Sequence, residues 1–474
     1  MKLIKLNQKT IAFSIYCFGV FFWVSFLNYG SPKLQYFDWP ITKNLYLTIK
    51  FSLIEKKIPY FVFLFPEEHF NFKFFANGIY AISPQILLIK FLDLKTFINF
   101  NILFFFSIGF YSTYLISKHF KFNNFQTTIF LLLINFNGYI SSKIAVGHLG
   151  SSNAIFMIPT FYVLLLKIYN GQNIKQRICN CIFFSLFIFF CKLNSNGHQI
   201  EQFLMIGFIY FLIFNKRIYD YLLSLIIIFF LIFYYIYPTL LYSNYLADRE
   251  IFSGYSHPYE LFSSLTKIFN SGYDAQWEKN IFIGYTAFIF LFFNSIAIII
   301  KKLKKKNFLL NLNEFKFFFI NLIIFILSLY LFKNFIYNIL ENILTINIPK
   351  VDRLPTRLII YPLYFYIFIN CHLLKSTNKN NFFYFILSLA IFFELNLNSI
   401  SWIVSISETH YPNYPNMYYP DGIEPIIIEP TLFDLNNNNY INDVKFSFLV
   451  SLLTLIFCFI TLIVLKFKKN KLKL

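Results

Sequence analysis

The chain has 474 residues, of which 57% are hydrophobic and 13% charged, and it carries a formal net charge of +19. That apolar share exceeds the roughly 45–50% of a soluble domain, and the mean hydropathy of +0.58 excludes the two or three soluble domains that length alone would allow. The charge does not point to nucleic acid: no basic face with base-stacking aromatics is present, and the lysines cluster in short runs beside apolar blocks, where a membrane protein holds its cytoplasmic loops.

Apolar blocks of roughly 17–23 residues recur from end to end, each long enough to cross about 30 Å of hydrocarbon as a helix. They predict an all-α, polytopic transmembrane bundle, with helices at 10–28, 97–117, 126–145, 152–168, 178–193, 201–215, 219–241, 281–300, 316–333, 357–374, 382–403 and 445–466. The N-terminal MKLIKLNQK followed by apolar residues lacks a small-residue cleavage signal, so the first block is read as an uncleaved helix. Twelve crossings return the chain to its starting side. The charges agree: Lys2, Lys5, Lys118, Lys121, Lys175, Arg177, Lys216, Arg217, the run KKLKKK at 301–306, Lys375, Lys379 and the C-terminal KFKKNKLKL all fall on one side. The positive-inside rule makes that side cytoplasmic and puts both termini there.

The expectation is therefore one integral-membrane domain over 1–474, multi-pass in a bacterial inner membrane, with outer loops at 29–96, 242–280, 334–356 and 404–444. The first of these carries two apolar stretches, 58–65 and 79–92. Both are too short to span comfortably and are expected as amphipathic helices on the membrane surface. The six cysteines, Cys17, Cys179, Cys181, Cys191, Cys371 and Cys458, fall in or at the ends of apolar blocks, which argues against a disulfide framework or a zinc site.

Sorted by side, the chemically useful polar residues face outward. Asp38 stands in FDWP just beyond the first helix, and Glu67, Glu68 and His69 stand in PEEHF, able to supply metal ligands or a general base. His148 follows Gly147 at the end of the third helix, while His198, Gln199 and Glu201 lie in SNGHQIEQ between the fifth and sixth. Imidazole titrates near neutrality and holds a phosphate, relays a proton or binds a metal, whereas a tight turn needs only the glycine. His257 and Glu260 lie in the 242–280 loop, within GYSHPYELFSSL, placed to line a sugar site or to cap a surface helix. Arginine occurs at only five positions in this lysine-rich chain, and DRLPTR holds two of them, Arg353 and Arg357. The guanidinium fork binds phosphate through paired N–H groups, and its outward placement is not a cytoplasmic topology signal.

With these elements in order, the chain resembles the GT-C class of integral-membrane glycosyltransferases and, within it, the YfhO-like bacterial membrane proteins. The likeness rests on Asp38 soon after the first helix, KKIPYF at 56–61, SPQILL at 83–88, Gly-His at 147–148, GHQ at 197–199, HPYELFSSL at 257–265, IGY at 283–285 and RLPTR at 353–357, and it spans about residues 1–370. The resemblance implies transfer of a sugar from a polyprenyl-phosphate-linked donor to a glycan, lipid or protein acceptor of the cell envelope on the extracytoplasmic face. Asp38 inherits the role of base or metal ligand. On this reading His148 and His198 join Asp38 as catalytic residues, and Glu67, Glu68, Gln199, His257, Arg353 and Arg357 bind substrate. A divalent cation is the one cofactor such chemistry would use. The chain departs from the family pattern by having no DxD or ExD pair near Asp38, which leaves Glu67 and Glu68 as the acids that would substitute. The bilayer is a partner and nucleic acid is not.

Two other functions fit twelve helices with both ends inside: a transporter or lipid-carrier flippase, and a polymerase or ligase of surface polysaccharide. A carrier concentrates ionisable groups at mid-membrane, and here Glu394 is the main such group.

Overall fold

A computed structural model describes residues 7–28, 39–60, 75, 82–195, 197–214, 216–242, 258–267, 279–304, 312–328, 355–374, 381–408 and 438–470. Among these every regular element is helical. In chain order they are α1 (Gln8–Asn28), α2 (Trp39–Glu55), a 3₁₀ turn (Pro84–Lys90), α3 (Leu94–His119), α4 (Asn124–Asn135), α5 (Gly138–Ala145), α6 (Leu149–Tyr169), α7 (Ile174–Lys192) and α8 (Gly197–Phe214). There follow α9 (Ile218–Leu231), α10 (Phe233–Leu241), α11 (Pro258–Thr266), α12 (Tyr285–Lys304), α13 (Leu312–Ser328), a 3₁₀ turn (Pro355–Ile359), α14 (Ile360–Leu373), α15 (Asn381–Glu408) and α16 (Asn438–Asn470).

Each of the twelve predicted apolar blocks contains a helix. Among the described residues seven spans are long and apolar enough to cross a membrane, or eight when α9 and α10 are counted as one span bent by 66°. Shorter apolar helices run over Gln199–Phe214, Tyr285–Ala297 and Arg357–Leu373. The block predicted as one helix over 126–145 is interrupted at Phe136 and Asn137. There the Asn137 side chain accepts from Ile140 N to start α5, and its Nδ2 donates to Ile134 O at 3.0 Å and Tyr364 Oη at 3.0 Å. An asparagine competes with the helix backbone for hydrogen bonds, so a cap replaces the uninterrupted ladder.

In the first outer loop the structure adds α2, a helix outside the two apolar stretches expected there, while 84–90 forms the 3₁₀ turn within 79–92. Of the 58–65 stretch, only residues 58–60 are described, and they are not helical.

Cross-helix hydrogen bonds fix which helix ends lie together. Gln126 Nε2 donates to Cys371 O and Leu374 O, both at 2.7 Å, so α4 and α14 run antiparallel. Gln8 Nε2 donates to Thr127 Oγ1 at 2.7 Å, which brings the start of α1 to the start of α4. Ser112 and Thr160 share a hydrogen bond at 2.7 Å, making α3 and α6 parallel neighbours. Asn294 Nδ2 donates to Asn370 O at 3.1 Å, so α12 runs parallel to α14. One end of the bundle thereby gathers Lys118, Lys121, Lys167, Lys175 and Lys216, and is called here the lysine end. The opposite end carries α2, the 84–90 turn, and the junctions of α5 with α6 and of α7 with α8.

At the lysine end two of the five arginines have structural work. Arg177 grips Asp220 with both Nε, at 2.7 Å from Oδ2, and Nη2, at 2.5 Å from Oδ1, which clamps the start of α7 to the start of α9. Arg217 donates from Nη2 to Gly171 O at 2.7 Å, closing the same corner.

Candidate functional site

The candidate site is built on the junction of α5 and α6. After Ala145 the chain turns through Gly147, whose φ of +86° is a conformation that costs glycine nothing and an L side chain much. The turn returns His148 N to Lys143 O at 2.9 Å, and His148 becomes the half-buried N-cap residue of α6. Lys143 is fully buried, with its ammonium 5.1 Å from the centre of the Tyr139 ring. A cation sealed this far from water is costly unless an anion or an aromatic face answers it.

The start of α2 is fastened to this junction. The buried Trp39 donates Nε1–H to Ala145 O at 2.9 Å, and Thr42 donates Oγ1–H to Gly147 O at 2.8 Å. Trp39 and Thr42 at the start of α2 and the Gly-His turn, more than a hundred residues apart in the chain, therefore meet. From the other side Gln199, buried in the first turn of α8, donates Nε2–H to Ser151 Oγ at 3.0 Å. That bond joins the second Gly-His element, at 197–198, to the first.

The SPQILL element enters the same end through a network of neutral amides. Gln85 donates Nε2–H to Asn101 Oδ1 at 3.0 Å and to Asn194 Oδ1 at 2.6 Å, and Asn153 donates Nδ2–H to Asn194 O at 3.3 Å. Asn194 is oriented by its own Nδ2 bond to Phe190 O at 2.9 Å, which fixes its oxygen toward Gln85. The carbonyl oxygens of Gln85 and Asn153 are left buried without a hydrogen-bond partner. Such oxygens are acceptors in waiting for a hydroxyl, a water or a cation. Tyr46 lies fully within the same region, and burial pushes its hydroxyl well above the ordinary tyrosine value, so it stays a proton donor at any working pH.

Of the residues singled out from the sequence, His148 and Gln199 belong to this junction. Arg357 is half-buried in the 3₁₀ turn that opens α14. One turn onward Tyr361 packs edge-on against Phe203 at 6.2 Å, and Phe203 lies one turn beyond Gln199, so Arg357 and Gln199 share an end of the bundle. His198 belongs to the first turn of α8, and its side chain lies outside the described residues, as do Asp38, Glu67, Glu68, His257 and Arg353. Among the described residues no three His, Cys, Asp or Glu side chains group to hold a metal ion. Glu260 of α11 pairs with Lys279 at 3.4 Å.

Glu394, the mid-helix acid, proves to be a cross-helix cap. Its carboxylate accepts from Thr286 N at 3.0 Å and from Thr286 Oγ1 at 2.6 Å, holding the first turn of α12. The IGY element explains itself by the same contact: Gly284 has a φ of +91°, and a Cβ there would stand 2.1 Å from Glu394 Oε2.

Sequence reasoning missed Lys143, Gln85, Asn101, Asn153 and Asn194. The available signal was a polar side chain inside, or at the rim of, a predicted apolar block, which marks a position turned to the bundle interior. The chain matches no family model, and comparisons with curated proteins and with solved structures likewise return no match.

Proposed function

We propose that the chain is a membrane glycosyltransferase that moves a sugar from a polyprenyl-phosphate-linked donor to an envelope acceptor at the α2 end of the bundle. On this reading it crosses a bacterial inner membrane twelve times, with the lysine end and both termini in the cytoplasm. The observation that carries the proposal is the convergence of three sequence elements: Trp39 and Thr42 on Ala145 and Gly147, and Gln199 on Ser151. Asp38 immediately precedes Trp39 in the chain, so the same anchoring favours a common centre for the acid and the two Gly-His elements.

In the reaction, Asp38 takes the proton of the acceptor hydroxyl as its oxygen attacks the anomeric carbon. The bond from that carbon to the carrier phosphate oxygen breaks, and the electron pair leaves with polyprenyl phosphate. Arg353 and Arg357 bind the departing phosphate, and Lys143 adds a hydrogen-bond donor in a setting poor in water. His148 and His198 assist at the lipid-facing mouth, and Glu67, Glu68, His257 and Gln199 bind the sugar or acceptor. The engagement of Glu394 with Thr286 accounts for the acid that would otherwise favour a carrier.

The test is transfer from a polyprenyl-phosphate sugar in vesicles holding purified variants. Asp38→Asn is expected to lose about 10²–10⁴-fold, the range for removal of a general base, and Arg353→Ala and Lys143→Met about 10²–10³-fold, the range for removal of a charge-stabilising donor. Full activity in Asp38→Asn and Arg353→Ala would remove the assignment.

A further inference from the structure

A second feature lies away from that site. Six helices, α3, α6, α8, α13, α14 and α4, close into a ring in which each touches the next. Inside it, in the half toward the lysine end, is a cavity of about 250 Å³ with an almost wholly apolar wall that includes Ile116, Phe130, Leu165, Ile206, Ile320 and Phe368. Its ceiling is Ile134 and Tyr364, locked by the bond from Tyr364 Oη to Ile134 O at 3.0 Å. Its floor is Phe120 and His372, at the last turns of α3 and α14. His372 is exposed while lining the cavity, so the cavity reaches the surface at that corner.

Apolar cavities of about 150 Å³ take up a benzene-sized guest, so this larger one, whose lining is mostly hydrocarbon with Asn321, His372 and three tyrosines among it, has room for more carbon than that. The corner where it opens is cationic: Lys118 and Lys121 flank Phe120, and both are exposed. An apolar bore with a basic rim matches one kind of molecule abundant in a bilayer, with a long hydrocarbon chain and a negative head.

We propose that this cavity is a binding site for an anionic phospholipid, with one acyl chain inside the helix ring and the phosphate at Lys118 and Lys121. Long lysine stems reach the headgroup level from a helix end, and each lysine near the surface adds attraction for anionic lipid. The proposal does not depend on the catalytic reading, since the site lies at the opposite end of the bundle.

Native mass spectrometry of the full chain, released from detergent and from nanodiscs of mixed phosphatidylglycerol and phosphatidylethanolamine, tests it. The expected result is one phosphatidylglycerol retained per chain. Leu165→Trp, which fills the bore, is expected to lose that adduct. The surface pair Lys118→Glu with Lys121→Glu, which leaves the core untouched, is expected to lower the preference for phosphatidylglycerol over phosphatidylethanolamine by about tenfold. Wild-type protein that emerges without lipid, or carrying an isoprenoid lipid in place of a phospholipid, would overturn the proposal. So would a Leu165→Trp chain that keeps its phospholipid in full. If Leu165→Trp does not fold, the lysine pair decides, and an unchanged lipid preference there overturns the proposal.

Discussion

At the scale of single residues, Glu394 and Gly284 show how an unusual side chain and an unusual backbone account for each other. The carboxylate holds Thr286 N and Oγ1, and the glycine leaves it room. Gly284→Ala forces an L residue into a left-handed conformation, at a cost of about 1–2 kcal/mol, and drives its Cβ onto the carboxylate. Glu394→Ala leaves the first turn of α12 without its cap, at a cost of about 1 kcal/mol. Because both changes disturb one contact, thermal unfolding of the double variant in detergent is expected to show less than the sum of the two losses. Strict additivity would mean that the pair is not coupled. Neither residue's role was legible in the sequence, where IGY and Glu394 are separated by more than a hundred positions and only the folded chain brings them into register.

At the scale of elements, helix existence was legible and helix junctions were not. The twelve apolar blocks are set by hydrophobic length, a local property, and each holds a helix. The interruption at Asn137 and the bend between α9 and α10 depend on what neighbouring helices supply: Tyr364 Oη takes the Asn137 amide, and Ser451 Oγ accepts from Tyr234 N at 2.9 Å just past the bend. The helix α2 was missed because WPITKNLYLTIKFSLIE mixes polar and apolar residues without a spanning run, and its anchors, Ala145 and Gly147, are distant in sequence.

Arginines near the lysine runs were read only as topology signals, yet Arg177 holds Asp220 by a two-pronged contact. Lysine cannot reproduce that fork. Arg177→Lys is expected to lower stability and to speed amide hydrogen exchange in the first turns of α7 and α9. Unchanged exchange there would show the clamp to be idle.

The start of α3 offers a pH test. Asp93 accepts from Thr96 N at 2.9 Å and Thr96 Oγ1 at 2.6 Å, and these bonds hold its carboxyl below the ordinary carboxylate value. A depressed folded pKa contributes stability that is present above the unfolded value, about 3.9, and is lost as pH falls through the folded one. Asp93→Asn keeps a cap that does not titrate. Protection of the amides in the first turn of α3, measured against their intrinsic exchange rates, is therefore expected to fall below about pH 4 in the wild type and to stay level in the variant. The same fall in both would discard the cap.

At the scale of the whole molecule, the helix directions gather Lys118, Lys121, Lys167, Lys175 and Lys216 at one end, with His119 and His372 beside them, and put His148, Gln199 and Arg357 at the other. Gln126 at one end and Asn137 at the other tie α4 to α14 over its length, so the bundle has two chemically distinct ends. Of the elements singled out in the sequence, AVGH and GHQ meet at the α5–α6 junction through Gln199 and Ser151, while Asp38 of FDWP and Arg353 of RLPTR lie outside the described residues. The site's interior was not legible: the bonds from Gln85 to Asn101 and Asn194 and from Asn153 to Asn194 join residues apart in the chain, and Lys143 lies buried at the end of an apolar block beside the Tyr139 ring. The membrane account and the catalytic account both require that the α2 end face one compartment and the lysine end the other.

The most direct test is labelling of single introduced cysteines at positions 38, 150 and 357 and, at the lysine end, at 118 and 216, in intact cells and on a background freed of the native cysteines. The account predicts that a membrane-impermeant thiol reagent reaches 38, 150 and 357 from outside, and reaches 118 and 216 only after the inner membrane is opened. Labelling of 38 and 357 from opposite compartments would contradict it, because the acid and the guanidinium could then share no reaction centre.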